Sequence, residues 1–193
     1  MTTPDTGQPI RLAIVGYGLI GQRHAQAIAA ASGVELAAIV EPEGSASRAA
    51  VDDSVKIFPD IKQMLREVEP DGVIIASPTK LHISHARSCI EAKIPTLVEK
   101  PISDDLVAAR RLTKDATEAN VALLVGHHRR FNPIIKKAHD LIRAGEIGHV
   151  RAINAICWFY KPDDYFETAP WRKMKGAGPV SVNLIHDIDL MRY

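Results

Sequence analysis

Six residues constrain this chain more than any others: Gly16-Tyr17-Gly18-Leu19-Ile20-Gly21. The G-x-G-x-x-G spacing alone is weak. Here it follows a short apolar run (residues 10–15) and opens an alanine-rich, helix-favouring stretch (residues 19–31) that Gly33 stops. That is the context the spacing requires. Gly16 permits a tight turn, Gly18 lets a ligand approach the backbone, and Gly21 lets helix and strand pack closely. The free N–H groups of the helix, with their partial positive charge, then face an anion such as a pyrophosphate. The chain therefore has to begin as a strand–turn–helix unit.

The same alternation continues. Apolar runs predict further strands over residues 34–40, 55–58, 73–76, 96–99 and 121–125. Between them the spacing predicts helices over 45–51, 61–68, 82–92 and 106–120. Six strands alternating with helices, most of them continuous apolar runs, call for a parallel sheet covered on both faces. The reading is an α/β, doubly wound Rossmann domain over residues 10–126. Residues 1–9, polar and with two prolines, read as a loose tail; they lack the basic and apolar regions of a signal peptide.

The texture changes at residue 127. His127, His128, Arg129 and Arg130 lead into Phe131-Asn132-Pro133. A helix is predicted over 134–144, a long strand over 150–160, then a loop rich in Pro and Asp, then a helix over 179–193. In that last helix Val180, Leu184, Ile188 and Met191 form one stripe, expected to pack, with Val182, His186 and Asp189 opposite. A single long strand cannot satisfy its own backbone. Residues 127–193 are therefore expected to be the incomplete beginning of a second domain of a longer protein.

Bulk properties exclude several classes. With 46% hydrophobic and 24% charged residues and a net charge of +1, the chain has no field favouring nucleic acid or an anionic membrane. No apolar run approaches the ~20 residues of a membrane helix. Cys89 and Cys157 form no metal or disulfide pattern and fit a reducing, cytoplasmic setting. No metal is expected.

Ligands of an open parallel sheet bind at the carboxyl ends of its strands. Glu41 stands there, about 20 residues after the glycines, where a carboxylate meets an adenosine ribose. It favours NAD over NADP, although a basic neighbour such as Arg48 would accommodate a phosphate. Ser77, Pro78 and His82 follow the fourth strand. His82 either lines the cofactor groove or bonds local backbone. Glu99-Lys100-Pro101 follows the fifth. Lys100 is either a general acid/base, with Glu99 orienting it or the cofactor, or one half of a strand-end ion pair.

Taken in order, Gly16 to Gly21, Ser77-Pro78 with His82, Glu99-Lys100-Pro101, Gly126 to Pro133, Trp171-Arg172 and Gly176 to Asp189 resemble the Gfo/Idh/MocA oxidoreductases. The resemblance runs from Ile10 to Tyr193. It implies a Rossmann domain followed by a C-terminal α/β domain with a large open sheet, and a homo-oligomer at full length. It makes Lys100 the lysine at the reacting oxygen and His186 the active-site histidine, against the alternative of a helix histidine held by Asp189 or Asn183. The family usually carries Asp four residues before that histidine; here the residue is Val182, with Asn183 as a substitute that cannot take a proton. Arg129 and Arg172 join Lys100, Asn183 and His186 as candidate contacts to a sugar or polyol substrate. The implied activity is hydride transfer between nicotinamide and a carbinol carbon. Two alternatives stay open: a silent NAD-binding sensor or structural protein, and a redox-neutral enzyme that recycles bound NAD.

Overall fold

A computed structural model describes residues 7–45, 55–167, 170–174 and 177–193. The helix expected over 45–51, with Arg48, falls almost entirely outside the described residues, as do Gly176 and most of the expected tail. The chain divides into two compact units, one ending at Val125 and the other starting at Gly126.

The first unit is a six-stranded parallel sheet built from β1 (Ile10–Val15), β2 (Val34–Val40), β3 (Lys56–Phe58), β4 (Gly72–Ile75), β5 (Thr96–Val98) and β6 (Leu123–Val125). The spatial order is β3-β2-β1-β4-β5-β6. The direction of winding thus reverses between β1 and β4, which makes their carboxyl ends the switch point where such folds bind ligands. The helices are α1 (Leu19–Ala30), α2 (Ile61–Val68), α3 (Thr79–Glu91) and α4 (Leu106–Glu118). Caps fix two of their starts: Asp60 accepts from the Gln63 amide at 3.0 Å, and Asp105 from the Val107 amide at 2.7 Å.

Side-chain alternation splits the core in two. Ala13, Val15, Ala38, Val40, Val73 and Ile75 join one cluster with Met64, Cys89 and Leu112 from α2, α3 and α4. Ile14, Ile39 and Ile74 face the other way and pack with Ile28 of α1. Every second residue of one strand therefore serves the opposite layer. The coverage on the α1 side stops short of the sheet edge, because Leu124 in β6 is exposed. Helix α3 starts at Thr79, three residues earlier than expected, directly after Pro78 at its N-cap.

The second unit holds a 3₁₀ turn (His128–Phe131), α5 (Pro133–Arg143), α6 (Asp163–Glu167), a second 3₁₀ turn (Pro170–Lys173), a π-helical turn (Val180–Leu184) and α7 (Ile185–Arg192). Asn132 caps α5 by accepting from the Ile134 amide, and Pro133 takes the first helical position.

Two expectations fail here. Residues 150–160 form no strand: a strand exists only as part of a ladder, and no described residue pairs with this segment. Trp158 and Tyr160 are each 89% exposed. The stripe expected to pack in the last helix is also wrong. Val180 and Met191 are exposed, while His186 and Asp189 are buried. Charge pairing, described below, chose the buried face in place of aliphatic burial. No helix among the described residues is long and apolar enough to cross a membrane.

Candidate functional site

The glycines of the first turn do three different jobs. Gly16 has φ +90°, and a Cβ there would lie 2.6 Å from the backbone of Ser77. The turns after β1 and β4 are thus pressed together at the switch point. A Cβ on Gly21 would sit 2.1 Å from the Gly16 carbonyl oxygen, so α1 starts against the turn itself. A Cβ on Gly18 would meet nothing within 4 Å. Its φ of −66° requires no glycine, so neither backbone conformation nor packing within the described residues accounts for Gly18. A pyrophosphate approaching the amides of the α1 N-terminus fits that opening. Leu19 and Ile20, which begin α1, are exposed, whereas Tyr17 is buried.

Glu41, at the end of β2, is buried beside this turn. Its Oε2 accepts from the Tyr17 amide at 2.6 Å and its Oε1 from the Ser45 hydroxyl at 2.5 Å. The carboxylate is therefore held at the carboxyl end of β2, beside the glycine turn, and the residues of this edge fit a dinucleotide.

The turns after β4 and β5 are joined by His82. Its Nδ1 lies 2.9 Å from the Pro101 carbonyl oxygen and its Nε2 2.8 Å from the Ser77 carbonyl oxygen. A neutral ring donates one of these hydrogen bonds at a time; an imidazolium donates both. Burial pushes its pKa below the ordinary histidine value, against the pull of the two carbonyls and of Glu99 and Asp104, which favour the cation. His82 is 2% exposed, and both ring nitrogens face backbone, so the local-backbone alternative describes its geometry and a direct polar contact to a cofactor does not. Nearby, His85 Nδ1 lies 3.0 Å from the Ser77 hydroxyl, and burial lowers its pKa also.

Glu99 is held from a different element. Its Oε1 is 2.9 Å from His24 Nε2 on α1, and its Oε2 accepts from the Lys100 amide at 3.2 Å. Burial favours the neutral acid, but His24 and the Lys100 amide and ammonium outweigh it, and the carboxyl stays below its ordinary pKa. The Lys100–Pro101 peptide is cis. Nothing in the sequence marked His24: its role depends on α1 meeting a turn 75 residues away in sequence.

In the second unit, Arg130 grips Asp189 with Nε at 2.8 Å from Oδ2 and Nη2 at 2.5 Å from Oδ1. His127 Nδ1 is 3.6 Å from the same carboxylate. The Arg130 hydrogen bonds hold the Asp189 carboxyl below its usual pKa, despite burial. His128 meets His186 edge to face at 4.8 Å between ring centres. This is why the His186 and Asp189 side of α7 is buried. Arg129, expected at a substrate, donates to Asp187 at 2.8 Å. Arg172 donates to the Tyr165 carbonyl at 2.6 Å and stacks on the Tyr165 ring. Asn183 and Val182 both lie in the π-helical turn and are partly exposed. Among the described residues, no group of three or more His, Cys, Asp or Glu side chains could hold a metal ion.

Comparison with known proteins gives a consistent answer. Residues 10–127 match the sequence model of the Gfo/Idh/MocA oxidoreductases, described as an oxidoreductase family with an NAD-binding Rossmann fold. Residues 135–193 match the C-terminal domain model of the same family. The rhizopine catabolism protein MocA of Rhizobium meliloti is 31% identical over 183 residues, covering 95% of this chain and 56% of that protein. The WlbA dehydrogenase of Bordetella pertussis, solved with NADH and UDP-GlcNAcA, superposes with a TM-score of 0.89 at 27% identity, covering 97% of this chain and 56% of that one. The scyllo-inositol dehydrogenase of Lactobacillus casei, solved with NAD(H) and scyllo-inositol, gives 0.81 at 25% identity, covering 96% and 56%. The chain thus spans little more than half the length of each of these relatives.

Proposed function

The chain belongs to the Gfo/Idh/MocA oxidoreductase family and carries its NAD-binding Rossmann domain, and on that premise we propose that the full-length protein is an NAD-dependent dehydrogenase acting on a carbinol carbon of a sugar, polyol or inositol-like substrate. The observation that carries this reading is the switch point itself. There the bare backbone at Gly18 and the carboxylate of Glu41 stand at the ends of the neighbouring strands β1 and β2, and the Lys100 turn stands on the same edge at the end of β5, with β4 between. When bound, the nicotinamide supplies the hydride acceptor or donor.

The chain's own residues do the rest. The α1 amides hold the pyrophosphate. Glu41 accepts hydrogen bonds from a ribose diol and repels a 2′-phosphate, which selects NAD over NADP. Lys100 takes the proton from the substrate hydroxyl during oxidation and returns it during reduction, at its Nζ. His186 on α7 serves as a second proton-handling group, and Asn183 hydrogen-bonds the substrate. We assign the cofactor to residues 10–126 and the substrate to the segment from residue 127.

The test uses the full-length protein, NAD and a panel of polyols, sugars and inositols, following the absorbance of reduced cofactor. Lys100→Ala is expected to lose about 10²- to 10⁴-fold in kcat while still binding NADH. Wild-type turnover in that variant would remove Lys100 from the mechanism. Val182 favours one second reading, because an apolar side chain four residues before His186 can neither hydrogen-bond a substrate nor hold a histidine tautomer. A protein that binds NADH tightly and turns over no carbinol or carbonyl compound would establish this silent form.

A further inference from the structure

Lys100 sits between two neighbours that are each held by a histidine from a different helix. Before it, Glu99 is held by His24 of α1. After it, the carbonyl of Pro101 is held by His82 of α3, whose other ring nitrogen reaches the carbonyl of Ser77. Proline fixes its own φ through its ring. Anchoring the Pro101 carbonyl therefore fixes the remaining torsion of that residue, and the rigid ring carries the constraint back to Lys100. The Ser77 end of the tie is not free to drift, since the Ser77 backbone lies against Gly16. His82 is buried and points neither nitrogen outward.

We propose that His82 is a positioning residue for Lys100: seated between the Pro101 and Ser77 carbonyls and donating to one of them at a time when neutral, it fixes the Lys100 backbone, and with it the root of the lysine side chain, relative to the glycine turn. The proposal rests on Lys100 being the proton-handling group. It adds that the histidine after the fourth strand acts through the lysine turn and not on the cofactor. Removing the ring should leave the phosphate turn intact and let the Lys100 turn relax by a fraction of an ångström to an ångström. A misplacement of that size costs on the order of 100-fold in rate.

The experiment compares full-length wild type, His82→Ala and His82→Gln, the last keeping one donor in case the alanine variant folds poorly. The first readout needs no turnover. Lysines are trace-labelled with an amine-reactive reagent across a pH series and quantified by mass spectrometry, with exposed Lys114 as the internal reference. The labelling profile of Lys100 should shift along the pH axis in His82→Ala, and less in His82→Gln, while that of Lys114 stays put. The second readout is kinetic. We expect kcat to fall about 10- to 100-fold, KM for cofactor to change less than about threefold, and added imidazole to restore part of kcat by filling the vacated space. An unchanged Lys100 labelling profile, even with a lower melting temperature, overturns the proposal. So does an unchanged kcat per cofactor-binding site. A wild type that binds NADH without turnover would sink the functional reading alone, and the labelling profile would still decide the role of His82.

Discussion

Replacing Gly21 and Gly18 separately with alanine should split folding from binding. At Gly21 the new methyl carbon would lie 2.1 Å from the Gly16 carbonyl oxygen, where ordinary contact begins at 3.4 Å. Relief requires a backbone shift of more than an ångström. Gly16 cannot yield easily, because its amide donates to the Val40 carbonyl at 2.8 Å and its Cα lies against Ser77. Overpacking of this kind costs about 3 kcal/mol or more when the obstacle is backbone. The better helix propensity of alanine offsets about 1 kcal/mol, leaving a net loss of about 2 kcal/mol or more. For a domain of this size that lowers Tm by roughly 4–8 °C. At Gly18 the methyl meets nothing within 4 Å and φ is already negative, so stability should change by less than about 1 kcal/mol. The same methyl would occupy the space through which a pyrophosphate reaches the α1 amides. Affinity for NADH should fall at least about tenfold, or 1.4 kcal/mol.

Thermal unfolding and NADH fluorescence titration of the two full-length variants measure both quantities. Gly21→Ala should show the large Tm loss, and Gly18→Ala the large affinity loss at nearly unchanged Tm. Gly18→Ala binding NADH as wild type does would refute the reading of the turn as a phosphate cradle. Gly21→Ala melting at the wild-type temperature would show that the helix–turn contact is not the constraint described.

Glu41→Ala should lower the ratio of the NADPH to the NADH dissociation constant at least about tenfold, because the carboxylate that repels a 2′-phosphate is gone; titration with both cofactors checks it, and an unmoved ratio would take Glu41 out of selectivity. Stability should fall in two acid steps. His82 and His85 are held below their ordinary pKa, so their contribution is present above about pH 6.5 and is lost as pH drops below it. Glu99 and Asp189 are also held below the ordinary range, so theirs is complete above about pH 4 and is lost as pH falls through their lower folded values. Asp189→Asn should remove part of the second step and cost about 1–2 kcal/mol at pH 7, a figure reduced because Arg130 is partly exposed; circular dichroism melts across pH report both.

What could be read from the sequence was what lies close together along it. Helix α2 was legible to the residue, because its apolar 3.6-residue stripe lies within eight residues. The winding of the sheet followed from strand–helix alternation. Helix α3 begins three residues before its predicted start because its first turn, from Thr79, follows Pro78 with no side-chain cap to mark it. The second unit misled for a different reason. β-branched and aromatic residues over 150–160 mark strand propensity, but propensity cannot supply a neighbouring strand. In α7 the aliphatic stripe was real, yet a bidentate Arg130–Asp189 pair from 59 residues away set which side is buried.

The same distinction explains the candidate site. Its candidates in the first unit were legible because they stand at or just after strand ends, whereas Arg129, Arg172, Asn183 and His186 came only from the family resemblance. The ties among the first-unit candidates were not legible, because every tie joins segments that are far apart in sequence. Tyr17 to Glu41 joins the ends of β1 and β2; Gly16 against Ser77 joins β1 and β4; His82 joins β4 and β5; His24 to Glu99 joins α1 and β5. Together these polar ties run along one edge of a sheet whose two faces are packed mainly by apolar side chains. Apolar packing tolerates volume-conserving change, whereas a buried carbonyl deprived of its donor costs about 1–3 kcal/mol wherever it lies. The edge is therefore the part of the first unit least free to rearrange, and the proposed handling of a proton and a hydride at neighbouring atoms would need that rigidity.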